Sequence, residues 1–216
     1  MNQIGSGLEY EAKFLDINVT KMKKLIKKYG AKLVHRRKKY IRAVFHRANN
    51  KVRGYARVRQ EAKDTTMTVK IYNNPKFPDE FEVTIKEGFE QGKDFLNGLG
   101  LKQKAFQESY REKYTFPKVK GVHEITFDEL PGLPPYMEVD CTTEKALNKV
   151  IELLNLDKDK MRYGAFDATY LEYYGIPKDV INKKTKSLTF KNIINEIKPK
   201  KNKELLKKIA KKQKKL

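Results

Sequence analysis

Charged residues recur at every second position in several short stretches of this sequence, and both signs are represented. Glu9-Tyr10-Glu11-Ala12-Lys13 is the first of them. In an extended chain alternate side chains share a face, so Glu9, Glu11 and Lys13 stand together while Leu8, Tyr10, Ala12 and Phe14 point the other way. Arg57 with Arg59, Lys70 with Thr66 and Thr68, Glu80 with Glu82, Arg111 with Lys113, Glu124 with Thr126 and Asp128, and Glu138 with Asp140 repeat the pattern. Carboxylates without His or Cys companions suit hard cations such as Mg²⁺ or Mn²⁺. Guanidinium and ammonium groups bind phosphate oxygens. Two acid pairs brought together repel each other unless a cation lies between them. The combination suits phosphate chemistry, and no Gly-x-x-x-x-Gly-Lys loop is present to do it in the P-loop manner.

The elements that carry these residues read mainly as strands. Period-two alternation marks Leu8–Phe14, Tyr40–His46, Gly54–Gln60, Thr66–Tyr72, Glu80–Lys86, Glu108–Thr115, His123–Glu129 and Tyr136–Cys141. Turn residues separate them at Asn49-Asn50, Asn73-Asn74-Pro75, Lys118–Gly121 and Pro131–Pro135. An apolar stripe of Met22, Leu25, Ile26 and Tyr29 predicts a helix that stops at Gly30, and further helices are expected over Gly92–Leu99, Thr143–Leu154 and Asp167–Tyr174. The class is therefore α+β, an antiparallel sheet or barrel with peripheral helices. An open amphipathic sheet with its charged face in water satisfies the alternation, and so does a closed barrel with the charged face inside. Alternation alone favours the open sheet, because small barrels ordinarily fill their interior with apolar side chains. The order of charges shifts the balance toward the barrel, since acid pairs sit on the first and last strands with basic pairs between, whereas a solvated face would mix the signs.

Taken in order, these stretches resemble the CYTH family, the triphosphate tunnel metalloenzymes that include thiamine triphosphatases, inorganic triphosphatases and class IV adenylate cyclases. Glu9-Tyr10-Glu11-Ala12-Lys13 is similar to the family's Glu-x-Glu-x-Lys signature. Arg57-Val58-Arg59, Met67-Thr68-Val69-Lys70, Glu80-Phe81-Glu82, Arg111-Glu112-Lys113, and Phe127–Leu133 through Met137-Glu138-Val139-Asp140 follow in the family's order over roughly residues 8–175. The resemblance implies an eight-stranded antiparallel β-barrel, a tunnel with a charged lumen and peripheral helices. It implies that Glu9, Glu11, Glu138 and Asp140 hold Mg²⁺ or Mn²⁺, with Asp128 a further candidate, and that Lys13, Arg57, Arg59, Lys70, Arg111 and Lys113 grip a triphosphate. Glu80 and Glu82 become either a second metal site or holders of the basic side chains. The catalytic candidates are Glu80, Glu82 and Lys13.

The implied reaction is metal-dependent hydrolysis of a triphosphate: inorganic tripolyphosphate, thiamine triphosphate, a nucleoside triphosphate or an RNA 5′-triphosphate. Attack by the ribose 3′-hydroxyl of ATP on its own α-phosphate would make the same tunnel an adenylate cyclase. A non-catalytic polyphosphate- or RNA-binding module is the reading of another class; it explains the charge but not the acid pairs. Two departures from the family stand out. The closing motif is Glu-x-Asp rather than Glu-x-Glu, and the second strand, Tyr40–His46, lacks the acid that many relatives place near its end, leaving its Arg42 either on the anion-binding wall or in solvent.

Charge and composition supply the frame. The chain has 216 residues, 48 Lys+Arg, 27 Asp+Glu and a net charge of +21. Residues 17–60 hold 16 Lys+Arg and no acid, residues 198–216 hold 10 lysines and one acid, and the rest of the chain is slightly acidic. Both basic stretches are candidates for contact with RNA or another polyanion, and the last is expected to be a frayed helix or a disordered tail. A lone cysteine, Cys141, and three scattered histidines exclude a disulfide framework and a thiolate or histidine metal centre. There is no secretion signal and no apolar run long enough for a membrane span, so a cytoplasmic protein is expected. Residues 1–176 are expected to form the tunnel domain and 177–216 a helical extension ending in the Lys-rich tail.

Overall fold

The computed structural model describes residues 7–8, 10–49, 51–73 and 78–214. Its strands are β1 (Gly7–Leu8), β2 (Tyr10–Phe14), β3 (Lys32–Phe45), β4 (Gly54–Gln60), β5 (Thr65–Ile71), β6 (Asp79–Ile85), β7 (Gln103–Thr115), β8 (Val122–Glu129), β9 (Tyr136–Cys141), β10 (Met161–Arg162) and β11 (Ser187–Leu188). The helices are α1 (Val19–Lys28), α2 (Phe89–Gly98), α3 (Glu144–Leu154), α4 (Asp167–Tyr174), α5 (Ile193–Glu196) and α6 (Lys203–Gln213). One sheet runs β1-β6-β5-β4-β3-β7-β8-β9-β2-β10, antiparallel throughout, and β11 adds to β7 in parallel. β1 pairs with β6 while β2 pairs with β9, and only Glu9 separates the two in sequence. One N-terminal segment therefore serves both ends of the sheet, which curls round into a tunnel.

All eight expected strands are present, the first as the pair β1 and β2. Two start five or more residues earlier than the alternation indicates: β3 begins at Lys32 rather than Tyr40, and β7 at Gln103 rather than Glu108. The leading half of β3 is mostly exposed and pairs with β7 through register shifts at Leu33/His35 and His35/Lys38. A strand that buries neither face shows no period-two hydrophobicity, so its backbone pairing is invisible in the pattern.

Helices cover much of the tunnel's outer face. α3 is capped by the Thr143 hydroxyl, which accepts from Ala146 N–H at 3.1 Å, and ends at Asn155 in the left-handed conformation. It buries Leu147, Val150, Ile151 and Leu154 with Ala12, Phe14, Met137 and Val139 of β2 and β9, and Ile26 of α1 joins the same cluster. α2 crosses β4 at Gly92, where an added Cβ would stand 2.7 Å from Val58 Cγ2. Packing these apolar sides leaves the charged sides of the same strands for the interior.

The C-terminal stretch differs from its sequence reading. Residues 203–213 form a docked helix, not a frayed one: Leu206, Ala210 and Gln213 are buried. Gln213 brackets the β8–β9 turn, accepting from Gly132 N–H at 2.7 Å and donating to the carbonyls of Leu130 and Leu133 at 3.0 and 3.2 Å. Leu206 and Ala210 share a core with Tyr170, Tyr174, Ile176, Ile181, Leu188 and Ile193. The lysines that made this stretch look solvated occupy only the outward side of α6. No helix among the described residues is long and apolar enough to cross a membrane.

Candidate active site

The tunnel encloses a cavity of about 880 Å³, and its walls are the charged faces of the strands. Glu11, Lys13, Arg57, Arg59, Lys70, Glu80, Glu82, Arg111, Lys113, Asp128, Glu138 and Asp140 all line it, so the structure gathers every described member of the sequence-predicted set. Glu9 lies outside the described residues. Register explains the gathering: Lys13 stands opposite Glu138 and Glu11 opposite Asp140, while Lys70 faces Glu80, Thr68 faces Glu82 and Arg111 faces Asp128. Arg42 also lines the cavity and does not simply face solvent.

Each basic side chain of the predicted clamp is held by carboxylates. Arg57 reaches Glu80 at 3.2 Å, Glu82 at 3.1 Å and the Thr68 hydroxyl at 3.2 Å. Lys70 pairs with Glu80 at 2.8 Å. Arg59 pairs with Glu61, and Lys113 with Glu124. Arg111 takes Asp128 through two nitrogens, Nε to Oδ1 at 2.8 Å, and also meets Glu138 at 2.9 Å and Glu124 at 3.2 Å. Lys13 donates to Glu11 and to the Gly164 carbonyl at 2.8 Å, with Glu138 3.2 Å away. Of the two central acids, Glu80 uses one oxygen for Arg57 and the other for Lys70. Glu82 directs Oε2 to Thr68 and Arg57, and no hydrogen bond or ion pair falls on its Oε1 among the described residues.

The electrostatics divide the carboxylates. Burial alone would raise Glu11, but Lys13, Lys70 and Arg111 outweigh it and hold Glu11 far below the usual carboxylate range. Burial together with Glu11 pushes Glu138 up to about 6. Burial, then Glu11, Glu124 and Glu138, push Asp140 up to about 8. Asp140 Oδ1 is also a buried oxygen without a hydrogen-bond partner among the described residues. An unsatisfied carboxylate oxygen among like charges is the environment a divalent cation relieves, so this acid group fits Mg²⁺ or Mn²⁺. Among the described residues no three His, Cys, Asp or Glu side chains yet stand at ligand spacing, since Lys13 sits between Glu11 and Glu138. Asp128 is engaged by Arg111 through both oxygens.

Several lining residues escape the alternation. Tyr40 stands beneath Arg59 and Arg111, 5.8 and 6.0 Å from its ring centroid, and its hydroxyl bonds His35 Nε2 at 2.8 Å. Glu61 lies in a turn just beyond β4, where period-two reasoning stops. Phe166, Asp167, Asn182 and Lys183 come from the chain after β10, which carries no strand periodicity. Cys141 is buried, and burial with the Asp140 charge beside it pushes the thiol up to about 12, which makes it unreactive.

A CYTH domain model matches residues 7–167. The chain belongs to the CYTH family. Solved structures agree at the level of fold. The PH1012 protein of Pyrococcus horikoshii OT3 is 18% identical, with a TM-score of 0.60 over 73% of this chain and 96% of its own. A proposed adenylate cyclase from Vibrio parahaemolyticus is 15% identical, with a TM-score of 0.62 over 76% of this chain and 98% of its own. The PH1819 protein of Pyrococcus horikoshii OT3 is 22% identical, with a TM-score of 0.58 over the same two shares. Among curated proteins none matches this sequence. CYTH proteins bind triphosphate substrates, and the family includes triphosphatases and class IV adenylate cyclases. The family model stops at Asp167, so α5 and α6 lie beyond the matched region.

Proposed function

We propose that this CYTH protein hydrolyses a triphosphate in a reaction that needs Mg²⁺ or Mn²⁺. The observation that carries the reading is the sorting of charge inside one cavity: the carboxylates Glu11, Glu138 and Asp140 adjoin the buried cations Lys13, Arg57 and Lys70 and the partly buried Arg111. A site for a polyanion alone gains nothing from the acids, and a site for a cation alone gains nothing from the guanidinium groups.

In this reading Arg57, Arg59, Lys70, Arg111 and Lys113 bind the phosphate oxygens. Their carboxylate partners hold them in place beforehand, which lowers the ordering cost of binding. Glu11, Glu138 and Asp140, with Glu9, would hold the divalent ion. Held there, a divalent ion would offset the negative charge that develops on the phosphate in the transition state. Lys13 keeps its proton: burial acts to lower its pKa, but Glu11 and Glu138 outweigh it, so it serves as a fixed positive charge. Glu80 and Glu82 position Arg57 and Lys70, and Glu82 alone of the two retains an oxygen able to accept from an attacking water. Asp128, with both oxygens on Arg111, is a positioning residue and not a metal ligand in this scheme.

The test is a substrate panel: tripolyphosphate, thiamine triphosphate, ATP and 5′-triphosphorylated RNA, each with Mg²⁺ and with Mn²⁺, scored for phosphate release and for cyclic AMP. Phosphate release with either metal and none in chelator supports the hydrolase. Cyclic AMP as the main product from ATP would instead assign the cyclase reaction. No product from any of them removes the enzyme reading.

A further inference from the structure

Carboxylates secure Arg59 less fully than Arg57 or Arg111. Arg111 is held by Asp128, Glu124 and Glu138, and Arg57 by Glu80, Glu82 and the Thr68 hydroxyl. Arg59 pairs with Glu61, while Glu82 stands 3.8 Å away and Arg59 Nε is a buried nitrogen without a hydrogen-bond partner among the described residues. An aromatic ring supplies further support. Tyr40 is buried, and its ring centroid lies 5.8 Å from the Arg59 guanidinium. β3 runs between β4 and β7, with Arg42 opposite Arg59, Tyr40 opposite Ser109 and Lys38 opposite Arg111. Tyr40 therefore has Arg59 on one diagonal and Arg111 on the other, both within reach of its ring.

The ring is itself held, by a side chain that an unbroken strand would turn away from it. His35 and Tyr40 are five residues apart, and an odd separation puts two side chains on opposite faces of a regular strand. Between His35 and Lys38 the pairing advances three residues on β3 for two on β7, from Lys113 to Arg111. That extra residue is a bulge, and it brings His35 to the face shared by Tyr40, Lys113 and Arg111. A second extra residue, between Leu33 and His35, restores the alternation beyond it. Bulges beside active sites commonly re-aim a side chain in this way.

The re-aimed imidazole is committed at both nitrogens. Nδ1 meets the Arg36 carbonyl at 2.9 Å, and Nε2 meets the Tyr40 hydroxyl at 2.8 Å. A carbonyl only accepts, so Nδ1 carries the proton; the neutral ring presents a bare Nε2, and the Tyr40 O–H donates to it. Tyr40 cannot tilt away from Arg59 without breaking that bond.

We propose that His35 is a positioning residue that, acting through Tyr40, orders Arg59 to receive a phosphate oxygen. The proposal rests on the triphosphate reading of the clamp and adds to it a residue that touches no phosphate. A guanidinium whose plane is set beforehand loses less freedom when its remaining donor, Nε–H, meets the ligand.

Two measurements on the full chain in chelator test this: the mobility of the arginine Nε–H groups by nitrogen-15 relaxation, and the affinity for tripolyphosphate by calorimetry. In His35→Ala the Nε–H of Arg59 should become more mobile while that of Arg111 stays ordered, because three carboxylates hold Arg111. Tripolyphosphate should bind about fivefold more weakly, the scale of one cation–π contact. Tyr40→Phe should weaken binding by a similar factor, and the double variant by no more than either single one, since both changes break the same bond. His35→Gln, which returns an acceptor near the place of Nε2, should recover part of the affinity. An Arg59 signal as ordered in His35→Ala as in the unaltered protein overturns the proposal, and so do losses that multiply in the double variant. Equal loosening of Arg59 and Arg111 also overturns it, because His35 would then be supporting the sheet as a whole. If the unaltered protein binds no tripolyphosphate, the triphosphate reading fails, and the mobility of Arg59 alone decides the role of His35.

Discussion

Asp128 and Arg111 face each other across β8 and β7 and share two hydrogen bonds, Nε to Oδ1 at 2.8 Å and Nη2 to Oδ2 at 2.5 Å, after which the same Nη2 continues to Glu138 at 2.9 Å. The guanidinium thus joins a positioning acid to an acid of the proposed cation site. Asp128→Asn keeps the size of the side chain and removes one charge-assisted bond. We expect kcat/KM for triphosphate hydrolysis to fall about tenfold with thermal stability little changed, because Glu124 and Glu138 still satisfy Arg111. Steady-state kinetics with a melting curve on the same preparation checks this; an unchanged kcat/KM contradicts it.

This pair also shows what the sequence could reveal. Arg111 and Asp128 were both recognisable as inward-facing from period-two alternation, since strands with one buried face announce their register. Their mutual bond was not, because alternation says which face a residue is on and nothing about its partner across the strand. The same limit hid the division of labour between Glu80, with both oxygens occupied, and Glu82, with one. Arg42 remained two-sided until its neighbours Gln107 and Phe166 were placed. The docking of α6 was obscured more completely: its lysines dominate the composition, while the contact depends on Leu206, Ala210 and one glutamine that reaches the turn at Gly132.

Cation binding should release protons. With Asp140 pushed up to about 8, the metal-free protein holds a proton on that carboxyl at neutral pH, and a cation bound there must displace it. Affinity for Mg²⁺ or Mn²⁺ should therefore rise as pH increases from 6 to about 8 and level off above. Calorimetric titration in two buffers of different ionisation enthalpy measures the release directly. Zero net release at pH 7 contradicts the assignment of Asp140.

Gly132 is the point where the extension is fastened. Its φ is +74°, and an added Cβ would lie 2.5 Å from Leu206 Cδ1. Gly132→Ala should cost about 1–3 kcal/mol of stability through backbone strain and displacement of α6. Gly98→Ala, with nothing within 4 Å of the new methyl, should be neutral or slightly stabilising. Chemical denaturation of both variants makes the comparison; equal effects contradict the docking described for α6.

The outer basic surface predicts a salt-sensitive interaction with nucleic acid. Lys21, Lys24, Lys28, Lys32, Arg36 and Lys38 lie on α1 and the leading half of β3, are exposed, and form no ion pair among the described residues. By contrast, Lys23 and Arg37 nearby are paired with Glu112 at 2.9 Å and Glu129 at 2.7 Å. A single-stranded RNA with a 5′-hydroxyl, which offers the tunnel no triphosphate, should bind with an affinity that falls steeply as salt rises. Lys24→Glu with Arg36→Glu should weaken that binding about tenfold or more, since each replacement removes an attraction and adds a repulsion. Fluorescence anisotropy across a salt series reads the slope; binding that ignores salt, or survives the substitutions, contradicts the prediction.

The most direct test of the central claim is the initial rate of phosphate release from tripolyphosphate by the unaltered protein and by Glu138→Gln, measured side by side with Mn²⁺, Mg²⁺ and chelator. Glu138 touches both halves of the site, 3.2 Å from Lys13 and 2.9 Å from Arg111, and Gln preserves its shape while removing the charge proposed to hold the cation. The account predicts metal-dependent release by the unaltered protein, none in chelator, and a loss of about a hundredfold or more in the variant, the scale on which disturbed metal ligation lowers activity. Release that persists in chelator, or a variant as fast as the unaltered protein, would contradict it.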